Sequence, residues 1–195
     1  AWISIALFGS LPFLLSDIEM SFIDAFFEST SGITTTGATV IENLEAKSHG
    51  ILIWRALLQW LGGVGIIVMA LAVLPMLSIG GMQLFKTESY ETPDKVVPKA
   101  ASFAAGISIV YITLTVIWAL MLWGAGMPMF DSIAHAMTTL ATGGYSTKSE
   151  SLAAFNSSTI EIIIIFGMLV GSLPFVHYLT LSKNGLKNLI KDDQV

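Results

Sequence analysis

Two short stretches carry residue types suited to holding a cation stripped of its water. They read Thr34-Thr35-Thr36-Gly37-Ala38-Thr39 and Ala141-Thr142-Gly143-Gly144-Tyr145-Ser146. Neither contains an acid, a histidine or a thiol, so the oxygens on offer are backbone carbonyls and hydroxyls. Glycine after Thr-x admits a positive φ without a Cβ penalty, which lets consecutive carbonyls face one axis. Such carbonyls can replace the hydration shell of a queue of cations, and the hydroxyl of the leading Thr adds an oxygen at its base. The candidate ion-binding residues are therefore Thr35, Thr36, Gly37 and Ala38 in the first loop, and Thr142, Gly143, Gly144 and Tyr145 in the second. One Thr-x-Gly is a negligible signal. Two in the same setting are not.

That setting is a set of apolar segments of two lengths. A helix crossing a bilayer needs about 20 apolar residues. Stretches 51–77, 103–123 and 160–181 qualify, and 1–15 reads as a span whose first turns are missing. Segments 24–33 and 131–140 are too short to cross, open on Asp24 and Asp131, and run straight into the two loops. Apolar segments of that length at membrane depth are candidates for re-entrant half-helices. Their C-terminal ends would bring partial negative charge to the loops. Sliding the sequence by 107 residues lays Asp24 on Asp131, Ile33 on Leu140, Thr35 on Thr142 and Gly37 on Gly144. The chain thus reads as two tandem units of span, half-helix, loop and span, 1–82 and 100–195, joined by a polar linker over 83–99 and closed by a basic tail over 183–195. Internal repeats of this kind are common in membrane transport proteins.

Composition agrees. Of 195 residues 54% are hydrophobic and 12% charged, about half the charged share of a soluble domain. A net charge of −5 with nine scattered basic residues provides no surface for nucleic acid. The absence of Cys excludes disulfides and thiolate sites. Lys86, Lys95 and Lys99 in the linker and Lys183, Lys187 and Lys191 in the tail place those segments in the cytoplasm by the positive-inside rule, against Lys47, Lys148 and Arg55 opposite. Asp17, Glu19, Glu42, Glu45 and Glu150 then make the outer side acidic, which favours cations near the mouth.

Both loops can be laid on the potassium-channel pattern TVGYG, with Thr39 and Ser146 in place of its last glycine. The sequence further resembles the membrane subunit of Trk-type bacterial potassium uptake systems, the TrkH family, related to KtrB. The likeness is carried by Asp24 to Ser29 running into Ser31 to Thr39, by Gln59-Trp60-Leu61-Gly62-Gly63-Val64-Gly65-Ile66, by Gly80 to Phe85, and by Ser132 to Ser146. The resemblance implies an all-α integral membrane fold in which four such repeats surround one pore, with the first two present here. It implies that Gly37 and Gly144 are the filter glycines. It implies potassium as the substrate, passing through a carbonyl-lined filter less strict than a tetrameric channel's, with no enzymatic step and no cofactor. It also implies a homodimer in the bacterial inner membrane, with a cytoplasmic nucleotide-binding regulatory subunit, TrkA-like, docking near the linker and tail. A segment with half the repeats is expected not to conduct.

The other polar residues have plainer readings. Arg55 is expected to snorkel to the outer interface beside Trp54, and Glu161 to sit at the head of its span. Glu28 and His135 align across the halves and are expected to hold their half-helices against neighbours. Gly62-Gly63-Val64-Gly65, Gly167 and Gly171 read as close helix packing, and His49, His135 and His177 lie too far apart for a metal site. The tail is expected to touch anionic lipid. The competing functional readings are a non-conducting membrane scaffold, and an intramembrane hydrolase built on Ser31 and His177.

Overall fold

The computed structural model describes residues 2–77, 96–173 and 178. Among them are six α-helices, α1 (Trp2–Leu15), α2 (Phe22–Ile33), α3 (His49–Leu77), α4 (Val96–Gly124), α5 (Met129–Leu140) and α6 (Ser158–Ser172). Short 3-10 helices occupy Leu44–Ala46 and Ser151–Phe155, and no strand occurs among the described residues. At about 1.5 Å per residue the 29 residues of α3 or of α4 exceed a hydrocarbon core of about 30 Å. The 12 residues of α2 or of α5 reach little more than half of it. Within α4, Ala105–Gly124 has a mean hydropathy of 2.1, long and apolar enough to span.

The boundaries differ from expectation by what caps each helix. Both half-helices begin two residues earlier than their Asp. In α2 the N-cap is Ser21, whose hydroxyl accepts from the Asp24 N–H at 3.2 Å and donates to the Asp24 carboxylate at 2.7 Å. Asp24 is thus the third helical residue of a reciprocal cap. α5 starts after Pro128 without a side-chain cap, which leaves Asp131 free for another role. α4 extends back into the expected linker, to Val96. Linker residues 83–95, the last span beyond Leu173 apart from Tyr178, the tail 183–195 and His177 lie outside the described residues.

Contacts divide the chain into two compact units, Ala1–Gly63 with Ile112–Pro174, and Val64–Tyr111 with Phe175–Val195. In the second unit Ile107 and Tyr111 are buried. The first unit holds both half-helices and both loops, and it is sorted inside out. Ile112, Val116, Leu120 and Trp123 form an exposed apolar stripe on α4, as Ile162, Ile165, Phe166 and Leu169 do on α6. Glu28, Arg55, Gln59, Asp131 and His135 are buried. A water-soluble domain sorts the other way, and hydrocarbon as solvent accounts for the reversal.

α3 stands between the half-helices. Its Ile51, Leu52 and Leu58 join Phe13 of α1, Ala25 of α2 and Ile41 and Leu44 of the following loop in one apolar cluster. Its Ala56 meets Ala134 and Met137 of α5 in another. Small residues set the approach. A Cβ on Gly62 would strike the Ile33 carbonyl at the end of α2, and one on Gly171 of α6 would come within 2.7 Å of the Leu140 carbonyl at the end of α5. Gly65 has open space around it.

Candidate functional site

Each half-helix ends in a tight reverse cap that feeds directly into its loop. In the first, the N–H groups of Thr35 and Thr36 donate back to the carbonyls of Gly32 and Ser31, both at 2.9 Å. In the second, Thr142 and Gly143 donate to Thr139 and Thr138, again at 2.9 Å. Each donor and acceptor of these backbone cap bonds has its counterpart 107 positions on. The backbone signs match as well, with φ of +54° at Thr35 and +52° at Thr142, then +80° at Gly37 and +82° at Gly144. The bond spanning six residues holds the two threonines in the left-handed region that a C-cap needs. Gly37 and Gly144 occupy the left-handed region again two residues later, where glycine alone avoids a Cβ penalty. Alternation in the sign of φ turns successive peptide groups to a common side.

The loops lie against each other. A Cβ on Gly37 would collide with the Gly143 carbonyl oxygen. Thr36, Ala38, Thr142 and Gly144 are exposed, Thr35 and Gly37 half-buried, and Gly143 and Tyr145 buried. Among the eight candidate residues, two carbonyls are engaged within the protein. The Ala38 oxygen accepts from Ser31 Oγ at 2.6 Å and lies 3.2 Å from Tyr145 Oη. The Gly143 oxygen accepts from Gln59 Nε2 at 3.0 Å. The Tyr145 ring points away from the exposed face, and its hydroxyl donates to the Glu28 carbonyl at 2.9 Å, tying the second loop to the first half-helix.

Glu28 and His135 do the same work with different chemistry. The Glu28 carboxylate accepts from the Thr39 hydroxyl at 2.9 Å and from the Val40 N–H at 3.0 Å, just past Gly37. His135 Nε2 lies 3.0 Å from Ser146 Oγ, just past Gly144, while its Nδ1 lies 2.8 Å from the Asp131 carbonyl. With the proton on Nδ1 directed at that carbonyl, Nε2 accepts from the serine. Each side chain therefore fastens its half-helix to the strand leaving its own loop. Asp131 adds a second fastening, accepting from the Thr147 hydroxyl at 2.7 Å with Lys148 Nζ at 3.7 Å.

Arg55 does not snorkel. It is 1% exposed, and its Nε lies 2.7 Å from the Glu28 carboxylate, itself 0% exposed. Its Nη1 donates to the Ser146 carbonyl at 2.9 Å, and the guanidinium carbon sits 4.1 Å above the Tyr145 ring. A carboxylate buried in the half-helix requires an opposite charge, and this outweighs the pull of the interface. Arg55 thus binds the first half-helix to the second loop. Gln59, one turn further along α3, braces the same loop: besides bonding Gly143 it accepts from the Tyr145 N–H at 3.1 Å. The sequence reading missed Arg55, Gln59, Ser31 and the Tyr145 hydroxyl as site residues. The available signal was two opposite charges, Glu28 and Arg55, both within membrane segments.

In the segment between α2 and α3, Glu45 accepts from the Ser149 N–H and hydroxyl, each at 2.7 Å, and these bonds lower its pKa below the ordinary carboxylate value. A cavity of about 160 Å³ opens beside the second loop, lined by His135, Thr138, Gly143, Tyr145, Ile164 and Met168 among others. The exposed faces of the loops present neutral oxygens, which suit a monovalent cation better than a transition metal.

The family model for TrkH, described as a cation transport protein, matches residues 1–193. The chain is 43% identical over 197 residues to the Trk system potassium uptake protein TrkH of Salmonella typhimurium, covering 99% of this chain and 41% of that one. It is 41% identical to the Trk system potassium uptake protein TrkI of Halomonas elongata, covering 100% of this chain and 40% of the other. The crystal structure of the potassium transporter TrkH from Vibrio parahaemolyticus matches with a TM-score of 0.84 at 40% identity, over 98% of this chain and 39% of that chain. The chain therefore spans about two fifths of the length of these relatives, which are transport proteins and not enzymes. By family model, sequence and fold, the chain belongs to the TrkH family of cation transport proteins.

Proposed function

We propose that residues 34–39 and 141–146 are two strands of a potassium selectivity filter, and that this chain is half of a four-repeat pore. Its two repeats are 1–82 and 100–195. The observation that carries the reading is the duplicated backbone: positive φ at Thr35 and Gly37, repeated at Thr142 and Gly144, in loops that touch at Gly37 and Gly143. Potassium is the substrate, and it passes along the strands formed by Thr35, Thr36, Gly37 and Ala38 and by Thr142, Gly143, Gly144 and Tyr145, lined by those of their carbonyl and hydroxyl oxygens that no protein group engages. The half-helix ends supply partial negative charge to the same place. No covalent step and no cofactor is involved. The relatives' names support uptake as part of a Trk system. The proposal extends to a multi-pass protein of the bacterial inner membrane, working as a homodimer with a cytoplasmic nucleotide-binding regulatory subunit and with no nucleic-acid partner.

The test is potassium or rubidium uptake by the full-length gene product carrying Gly37→Ser or Gly144→Ser. Both changes are expected to lower uptake and its preference over sodium, since each puts a Cβ at φ near +80°. Gly37→Ser is expected to be the more severe, because its Cβ also collides with the Gly143 carbonyl while that of Gly144 meets nothing within 4 Å. Unchanged uptake and ion preference in both would show that the loops are ordinary turns.

A further inference from the structure

We infer that Gln59 is a positioning residue that sets ion preference, by holding the Gly143 carbonyl back from the ions that pass the two loops. This rests on the reading of those loops as filter strands. Gln59 is 0% exposed, and its amide spans the two peptide groups that flank Gly144. Nε2 donates to the Gly143 carbonyl at 3.0 Å, and Oε1 accepts from the Tyr145 N–H at 3.1 Å. The direction of both peptides around a residue at φ +82° is thus fixed from α3. Glycine at 143 is part of the arrangement, because a Cβ there would collide with the Gln59 amide carbon. The same carbonyl oxygen abuts Gly37. One oxygen is therefore the meeting point of α3, the first loop and the second.

A carbonyl bonded to a buried amide is a weaker and less mobile cation ligand than a free one. Ion discrimination by a carbonyl cage depends on the number and field strength of its oxygens. Withholding one neutral oxygen lowers the coordination available to a larger ion, whose shell holds more oxygens than that of sodium. The second half of the chain supplies a comparison. Gly62 abuts the carbonyl of Ile33, and Gly171 that of Leu140, which aligns α6 with α3 and puts Met168 in the place of Gln59. A thioether cannot donate a hydrogen bond, so the brace belongs to Gln59 and not to its counterpart.

The deciding experiment compares wild type with Gln59→Met in the full-length gene product, measuring rubidium and sodium uptake per copy in the membrane. Met removes the donor at nearly constant volume. One backbone hydrogen bond to an amide corresponds to a change of about 2- to 10-fold, and the rubidium-to-sodium ratio is expected to rise by that factor. A ratio that stays the same, with both ions scaling together, or one that falls, overturns the inference. Gly37→Ser and Gly144→Ser are run alongside. If these alter ion preference and Gln59→Met does not raise the ratio, the role of Gln59 alone fails. If they too change nothing, the filter reading fails and the inference with it. Should Gln59→Met not assemble, the ¹³C signal of the Gly143 carbonyl in wild-type protein decides by solid-state NMR. A signal insensitive to exchange of potassium for sodium supports the inference, and one that moves with the ion, as a coordinating carbonyl's would, overturns it.

Discussion

Arg55 and Glu28 form a buried ion pair between α3 and α2, and removing one member is a sharp test of how the site is held together. The two charged groups approach to 2.7 Å at 1% and 0% exposure. At an effective dielectric of about 20, unit charges about 4 Å apart attract by about 4 kcal/mol. That attraction offsets desolvation of several kcal/mol per ion, helped by further contacts on both groups, although Arg55 Nη2 is buried with no hydrogen-bond partner among the described residues. Glu28 also receives Thr39 and Val40, and Arg55 also reaches the Ser146 carbonyl and the Tyr145 ring. Arg55→Met leaves the carboxylate buried without its cation, and is expected to destabilise the protein by about 3–5 kcal/mol. Glu28→Gln leaves the guanidinium unpaired and is expected to fall in the same range. The double variant buries neither charge, so its loss is expected to be smaller than the sum by about 3 kcal/mol. Equilibrium unfolding of the full-length gene product in mixed detergent micelles, followed by tryptophan fluorescence, gives all three values. If the two single losses add to the double within about 0.5 kcal/mol, the residues are not coupled and the argument is refuted.

Two further outcomes follow from the same geometry. Gly62→Ala drives a Cβ into the Ile33 backbone carbonyl and is expected to destabilise by about 1–3 kcal/mol, whereas Gly65→Ala meets nothing within 4 Å and is expected to gain up to about 1 kcal/mol of helix propensity; equal effects in the unfolding assay would contradict the contact. Glu45 has its pKa lowered from 4.5 chiefly by the Ser149 hydroxyl, so its stabilising contribution is present above the unfolded value and is lost as pH falls through the folded one. The stability gap between wild type and Glu45→Gln is therefore expected at pH 6 to 7 and to shrink as the pH falls below 4.5; a gap independent of pH would rule out the carboxylate as its source.

What was legible in the sequence is what the backbone constrains. A φ near +80° restricts the residue to glycine whatever surrounds it, so Gly37 and Gly144 stand out in one chain without a partner to compare. Segment length separates half-helices from spans for the same reason, since a bilayer sets the scale. What was not legible depends on register between helices. Arg55 and Glu28 lie 27 residues apart, and nothing local tells that Gly62 seats α3 on the end of α2 so that the two charges meet. Asp24 and Asp131 look equivalent in sequence, yet one completes the Ser21 cap and the other fastens Thr147 and Lys148.

The side chains that support the loops differ between the halves. Glu28 is matched by His135, and along the aligned α3 and α6 Arg55 is matched by Ile164 and Gln59 by Met168. Only the first of these pairs keeps its task. A carboxylate and an imidazole both fasten a half-helix to the residue two beyond the loop glycine, because either acceptor can reach the hydroxyl of Thr39 or Ser146. Arg55 and Gln59 act across to the other loop, and the place of each is taken in α6 by an apolar side chain lining the cavity beside Gly144. Glu28 and His135 can differ because either only has to hold its strand in place. The cap bonds and the signs of φ cannot, because they determine where the oxygens point.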